Sequence, residues 1–374
     1  MRKTLFKWHS YLALIAMIPV LVISITGSIL VFKVEIDSLL RPHHMVVNPT
    51  ITDTEQTTQR LALDDLMSRI QATYPDYILA GWELFGTDDN AVIEEHGRSD
   101  TAYAIKKNTE TWFKIYINQY TGEILSEPKH MEHYITDWLL ELHYAFLLHF
   151  SGTVIGAIFG LILLFLGISG IILYRKFWRK LFTLRWGSAK RILFSDVHKM
   201  VGIFSSPVLI IIAFTGVYWN ISIVLHEVLE HGFEEAHPAI TEPYHAETIS
   251  FESLRENASM QIDSFRATYL AIPNEPKMDI TFFGEVDTPN PLISQYASMV
   301  TYHHKTGDLV MASDIRDAGF LRKFDDSTRK LHFGYFAGIW SKIVWCIIGI
   351  SPVILMITGL IMYLIRRQPK RKAR

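Results

Sequence analysis

Four long apolar stretches, at residues 11–32, 144–174, 201–224 and 339–365, stand out from an otherwise mixed chain. A hydrocarbon core about 30 Å thick takes about 20 apolar helical residues, and each stretch supplies that many. The pattern predicts a membrane α-helical bundle with four transmembrane helices, at 8–32, 142–174, 196–225 and 331–365. Between the first and second spans (33–141), and again between the third and fourth (226–330), the chain turns polar and its periodicity changes. "LALDDLMSRIQATYPDY", residues 61–77, has helical apolar spacing and stops before proline. "WFKIYINQYTGEIL", residues 112–125, alternates around a Thr-Gly turn and predicts a hairpin. The second insert repeats this order with a helical segment at 251–265 and a hairpin at 297–312. Each insert is predicted to be a small α+β module.

The spans share a grammar. Each begins near a histidine and ends in Thr-Gly or Ser-Gly: His9 with Thr26-Gly27, His143 with Ser169-Gly170, His198 with Thr215-Gly216, and His332 with Thr358-Gly359. His9 and His198, Thr26 and Thr215, His143 and His332, and Ser169 and Thr358 all stand 189 positions apart. That constancy predicts an internal duplication, two spans and one insert per half. The turn glycines Gly122 and Gly307 are 185 apart; loop lengths drift where membrane helices do not.

Mean hydropathy is +0.18. With 36 Lys+Arg against 38 Asp+Glu and a formal charge of −2, nothing argues for nucleic acid as a partner. The basic residues instead set orientation. Arg2, Lys3 and Lys7 precede the first span, seven Lys and Arg fill the loop at 175–195, and six close the tail at 366–374. Basic flanks belong on the cytoplasmic side, so both termini are predicted to be cytoplasmic and both inserts periplasmic, in a bacterial inner membrane. The first span is too long for a signal sequence and lacks a small-x-small cleavage site, so it is predicted to be retained. Cys346, inside the fourth span, is the one cysteine. A disulfide framework, a cysteine zinc site and a C-x-x-C-H haem attachment are thereby excluded.

With this topology His9 and His198 lie at the inner side and His143 and His332 at the outer side. Ionisable groups at membrane depth are costly and usually functional. Two neutral imidazoles from different helices can close both axial positions of a haem iron. The four histidines therefore predict two b-type haems, and the glycines Gly27, Gly170, Gly216 and Gly359 would give a flat macrocycle room. The plainer alternatives are interfacial histidines that hydrogen-bond carbonyls, and glycines that only let helices pack closely. One length is awkward: 17 residues from His9 to Thr26 make roughly 26 Å of helix, but 26 from His143 to Ser169 make roughly 39 Å. His149 is then a rival ligand to His143, although its equivalent in the second half is Gly338. "HEVLEHGFEEAH", residues 226–237, lacks the H-E-x-x-H spacing of a zinc protease and reads more readily as a solvated acidic face. His43-His44 and His303-His304 are sequence neighbours expected to point apart, and carry no assigned role.

The segments "KWHSYLALIAMIPVLVISITGSILVF", "LHYAFLLHFSGTVIGAIFGL", "DVHKMVGIFSSPVLIIIAFTGVYW" and "LHFGYFAGIWSKIVW" together resemble the PepSY-associated transmembrane helix family over essentially the whole chain. The inserts look like PepSY modules. The resemblance implies an oxidoreductase of the di-haem ferric-siderophore reductase type, with His9, His143, His198 and His332 matching the family's histidines. It further implies membrane lipid as surroundings, a ferric siderophore or other iron chelate as acceptor, and quinol or a separate reductase as donor. Where relatives carry Arg after the second histidine this chain has Tyr144, which leaves the outer ligands less fixed. A nucleotide-binding Gly-rich motif is missing, so the donor must be external. The competing expectation is a non-enzymatic, membrane-anchored PepSY protein that binds or regulates a periplasmic partner.

Overall fold

The computed structural model describes residues 2–47, 59–85, 97–174, 183–230 and 239–367. In chain order these form α1 (Arg2–Ile15), α2 (Met17–Leu30), α3 (Lys33–Leu40), α4 (Pro42–Met45), α5 (Leu63–Thr73), β1 (Tyr77–Glu83), β2 (Asp100–Lys106), β3 (Trp112–Ile117), β4 (Lys129–His130), α6 (Ile135–Ala145), α7 (His149–Leu173) and α8 (Lys190–Glu230). They continue as α9 (Phe251–Gln261), β5 (Arg266–Ala271), β6 (Ile280–Glu285), β7 (Ser298–Tyr302), β8 (Leu309–Ser313), α10 (Phe320–Phe333), α11 (Gly338–Gly349) and α12 (Ser351–Arg367). The elements divide into two compact units, one built from residues 1–33, 135–234 and 328–374, the other from 34–134 and 235–327.

The first unit is a helical membrane bundle. Three helical stretches are long and apolar enough to cross a membrane, at His149–Leu173, Lys190–Leu229 and Gly338–Arg367. The first predicted span is α1 and α2 together, bent by 68° at Ala16. Pro19 has no N–H to give the Ile15 carbonyl, which is the ordinary cause of such a kink. Large apolar side chains such as Ile158, Leu161, Ile168 and Ile172 on α7 point outward, as a lipid-facing surface requires. The third span is longer than predicted: α8 runs 41 residues, about 60 Å, through Pro207. Its first turns take up Lys190 and Arg191, assigned above to a loop. Arg175, Lys176, Arg179, Lys180 and the tail from 368 lie outside the described residues.

The second and fourth spans differ from the prediction more sharply. The apolar run 142–174 is two helices: α6 ends at Ala145, Phe146 and Leu147 are left-handed (φ 51° and 61°), and α7 starts at His149, itself at φ 50°. α7 then packs so close to the end of α6 that a Cβ on Gly152 would lie 1.6 Å from the Ala145 carbonyl oxygen. The run 331–365 breaks in the same way between α10 and α11, at Gly334 (φ 77°) and Gly338 (φ 57°). The awkward 39 Å rod does not exist. His143 and His332 sit on separate helices that turn a corner before the span begins.

The second unit merges the two inserts. All eight strands among the described residues form one antiparallel sheet in the order β4-β3-β2-β1-β5-β6-β7-β8. The inserts join where β1 pairs with β5, Trp82 opposite Leu270 and Glu83 opposite Tyr269. Pairing removes an exposed edge from each insert, and α5 and α9 share one core with Leu63, Leu66, Ile70, Trp82, Leu270, Phe282 and Tyr302. Both predicted hairpin turns form, with Gly122 and Gly307 left-handed at φ 73° and 74°. After the first, only the isolated bridge Ile117 to Ile124 pairs, not a full strand.

The two helices cap each other. Asp64 of α5 accepts hydrogen bonds from Ser250 Oγ (2.6 Å) and from the Phe251 (2.8 Å) and Glu252 (3.2 Å) N–H groups at the start of α9, while Glu252 accepts from the Leu63 N–H (2.9 Å) at the start of α5. Asp64→Ala is expected to cost about 1–2 kcal/mol, visible as lost amide-exchange protection at the first turn of α9. Burial pushes the Glu252 carboxyl up, but donation from Arg255 and the Leu63 N–H outweighs it and holds the group below its ordinary value. This contribution is complete above the ordinary carboxylate range and is lost as pH falls through the lowered folded value. The protection of the Leu63 N–H, measured against its intrinsic exchange rate at each pH, should therefore fall at acid pH, and Glu252→Gln should flatten that pH dependence.

Candidate functional site

The four span-associated histidines are held alike. Each Nδ1 meets a Ser or Thr hydroxyl on another helix: His9 of α1 with Ser169 of α7 (2.7 Å), His198 of α8 with Thr358 of α12 (2.9 Å), His143 of α6 with Thr26 of α2 (3.1 Å), and His332 of α10 with Thr215 of α8 (2.9 Å). The first two contacts each span 160 residues and the last two each span 117.

These contacts fix the tautomer. Thr26, Thr215 and Thr358 give their own protons to carbonyls one turn back, at 2.7, 2.8 and 2.7 Å from Val22, Ile211 and Ile354. Their oxygens are then free to accept, so the imidazole Nδ1 carries the hydrogen. At His143 and His332 the Ile23 (3.0 Å) and Ile212 (3.2 Å) carbonyl oxygens lie against the same nitrogens, and a carbonyl can only accept. Nδ1–H donors leave Nε2 with a bare lone pair, and among the described residues no group hydrogen-bonds to Nε2 of any of the four. A metal-ligating histidine needs this outer-shell arrangement.

One pair of rings comes together. His143 and His332 have ring centroids 6.3 Å apart with planes inclined by 50°. Among the described residues no such ring contact joins His9 of α1 to His198 of α8. Along α8, His198 and Thr215, which holds His332, are separated by 17 residues, about 26 Å, so His198 and His332 lie toward opposite ends of the bundle.

The glycines lie against the histidine rings. A Cβ on Gly27 would meet His143 Cε1 at 2.7 Å, and one on Gly216 would meet His332 Cε1 at 2.9 Å. Gly170 and Gly359 face His9 and His198 more loosely, at 3.8 and 3.6 Å. The close space at Gly27 and Gly216 is taken by an imidazole ring. Thr26-Gly27 and Thr215-Gly216 are seats in which the hydroxyl anchors Nδ1 and the missing side chain admits the ring; at Ser169-Gly170 and Thr358-Gly359 the hydroxyl alone makes the close contact. The hydroxyls that hold the rings carry no role in the sequence expectations, although a Ser or Thr before every one of these glycines was their signal.

Other histidines lie elsewhere. The His149 side chain is 85% exposed, and its nearest carboxylate is Glu141 at 3.9 Å. It occupies the left-handed corner, and nothing joins it to the paired rings. His226 is in the last turns of α8, and residues 231–237 of its cluster lie outside the described residues. His44 stacks on Tyr116. His303 and His304 do not point apart: their rings stack at 4.8 Å and 28°. Together with Asp279 they bring ligand-type atoms within 4.8 Å of one another. His304 Nδ1, however, bonds Asp279 (2.8 Å), and His303 Nδ1 accepts from the Lys305 and Thr306 N–H groups at 3.3 Å, so the trio fastens its turn. Asn220 of α8, which the sequence reading also passed over, donates to the Tyr144 (3.1 Å) and Thr153 (3.2 Å) carbonyls and braces the corner that carries His143.

The family model described as the PepSY-associated TM region matches residues 6–366. Over 80 residues the chain is 36% identical to an uncharacterized protein of Pseudomonas aeruginosa, a stretch covering 21% of this chain and 20% of that relative. The chain thus spans about a fifth of the length of the curated relative it matches.

Proposed function

The chain belongs to the PepSY-associated transmembrane-region family, and on that premise we propose that it is a ferric-chelate reductase of the bacterial inner membrane, an internally duplicated bundle of four spans. His143 with His332, and His9 with His198, would each hold one b-type haem. Haem supplies one-electron redox chemistry. The overall reaction takes electrons from quinol, or from a separate reductase on the cytoplasmic side, to a ferric siderophore or similar chelate on the periplasmic side. One quinol gives two electrons and two protons and so reduces two ferric ions.

The observation that carries the reading is the His143–His332 pair. An imidazole nitrogen bonds a metal at about 2.0–2.1 Å, with the ring centroid about 1 Å behind it, so two rings on one iron stand roughly 6 Å apart; these stand at 6.3 Å. The donor set points the same way. Among the described residues no third His, Cys, Asp or Glu joins either pair. A closed zinc centre needs four protein ligands, whereas a haem iron needs only the two axial ones. The basic clusters flanking the spans support the orientation, and the equal separations of 160 and 117 residues support the duplication.

The test is direct. Full-length protein purified from haem-replete cells should show a reduced-minus-oxidised b-type spectrum with two haems per chain. A colourless preparation ends the reading and favours a membrane-anchored binding role. A finer prediction concerns the anchors: Thr215→Val keeps the shape but removes the hydroxyl beside His332 Nδ1. Loss of such an outer-shell partner costs about 10–100-fold in metal affinity. The outer haem of that variant is expected to pass to apomyoglobin correspondingly faster, while the inner one, anchored by Thr358, is unaffected.

A further inference from the structure

A second chemical cluster lies where the inserts join, on the sheet face opposite α5 and α9. Successive strand residues alternate faces. Trp82 and Leu270 point into the shared core, and Glu83 and Tyr269, paired across the β1–β5 seam, point the other way. Glu83 accepts from the Tyr103 hydroxyl at Oε2 (3.3 Å) and from the Tyr296 hydroxyl at Oε1 (3.2 Å). Tyr269 stands between the two phenols, its ring 6.3 Å from Tyr103 and 6.4 Å from Tyr296. Gly81 makes the arrangement possible, because a Cβ there would meet the Tyr269 hydroxyl at 2.4 Å.

Glu83 is partly buried, yet among the described residues no lysine, arginine or histidine pairs with it. Elsewhere in the same unit the carboxylates of Asp100, Glu285 and Asp314 are matched by Arg60, Arg266 and Arg316, whereas Asp64 and Asp326 accept from hydroxyl and backbone N–H groups. The Glu83 carboxylate has two phenol oxygens in contact with it and a third phenol beside them, and Lys114 stands opposite Tyr103 on the next strand. We propose that Glu83, Tyr103 and Tyr296 form an oxygen-donor site for ferric iron.

The donor chemistry selects the ion. Carboxylates, carbonyls and water suit calcium, magnesium and manganese, but those ions leave a phenol protonated. A phenol gives up its proton readily only to a small, highly charged cation, by the same inversion that bound metals impose on other ligands. As iron binds, each ligating phenol loses its O–H proton to solvent as an Fe–O bond forms. Glu83 exchanges two accepted hydrogen bonds for coordination, and the iron stays ferric. The proposal deepens the reductase reading by naming a place where its ferric substrate is held outside the chelate, but it stands or falls on iron binding rather than on haem.

Full-length protein in detergent, titrated with ferric nitrilotriacetate and desalted, should retain one iron per chain above its haem iron. Resonance Raman spectra should show tyrosinate modes, and gallium(III) should compete. Glu83→Gln, and Tyr103→Phe with Tyr296→Phe, preserve side-chain shape. Each is expected to weaken retention by more than the about 10-fold that loss of an outer-shell partner costs, with haem content and gel-filtration profile unchanged. No additional iron, iron without tyrosinate modes, or retention indifferent to these variants overturns the proposal. Colourless protein that still binds iron through tyrosinate ends the haem reading alone, and red protein that binds no further iron ends this one alone.

Discussion

His332→Ala is expected to lower the haem content from two per chain to about one, the remaining haem keeping a low-spin b-type spectrum. The argument runs from helix ends to ligand number. His332 is fixed through Nδ1 by Thr215 and the Ile212 carbonyl, with its ring opposite His143. Alanine removes one of the two imidazoles in ring contact there, and among the described residues no third His or Cys joins them. His149 cannot step in, since its side chain is 85% exposed at the corner. His198 lies about 26 Å from Thr215 along α8, beyond any shared packing, so the effects at the two ends should be independent. His198→Ala should produce the complementary loss, and the double variant should be colourless. Exogenous imidazole should restore haem to His332→Ala, because the cavity left has the shape of the missing ring. Full haem content in either single variant would remove the ligand assignment, and loss of both haems from each would show that the two ends do not bind separately.

Much of this bundle was legible in the sequence because its constraints are periodic. The apolar runs mark the spans, and the constant spacing of His and Ser/Thr-Gly marks the residues that the structure brings into contact. The corners before α7 and α11 were harder. In the second half Gly334 and Gly338 announce left-handed backbone, but in the first the same turn is made by Phe146, Leu147 and His149, residues that rarely adopt it. The equivalence of His149 with Gly338 was visible as a mismatch of ligands; its physical meaning is a shared left-handed φ, 50° and 57°. The single sheet had no local signal at all. It depends on residues near 82 meeting residues near 270, a pairing that neither insert displays alone. The reciprocal caps of Asp64 and Glu252 were hidden for the same reason, each being an unremarkable acid in the first turn of its own helix.

Alanine at the four span glycines is expected to divide them into two classes, although the sequence gives all four the same context. At Gly216 the added carbon would sit 2.9 Å from His332 Cε1, and at Gly27 it would sit 2.7 Å from His143 Cε1. Neither ring can yield easily, because each Nδ1 is held by a threonine and a carbonyl on the same helix that carries the glycine. Overpacking of this kind costs about 1–3 kcal/mol, which is roughly 5- to 150-fold in the affinity that depends on ring position. Gly216→Ala and Gly27→Ala should therefore lose the outer haem on dilution or shift it to a high-spin spectrum. At Gly170 and Gly359 the new carbon would lie 3.8 and 3.6 Å from His9 and His198, an ordinary contact, and the inner haem should survive. The pattern separates three physical roles for one residue type. Glycines that only let helices approach would, when replaced, destabilise the bundle without favouring either haem, and glycines that only make room for the macrocycle would not follow the distance to an imidazole carbon. Only a seat for the ring predicts that the outer pair fails first.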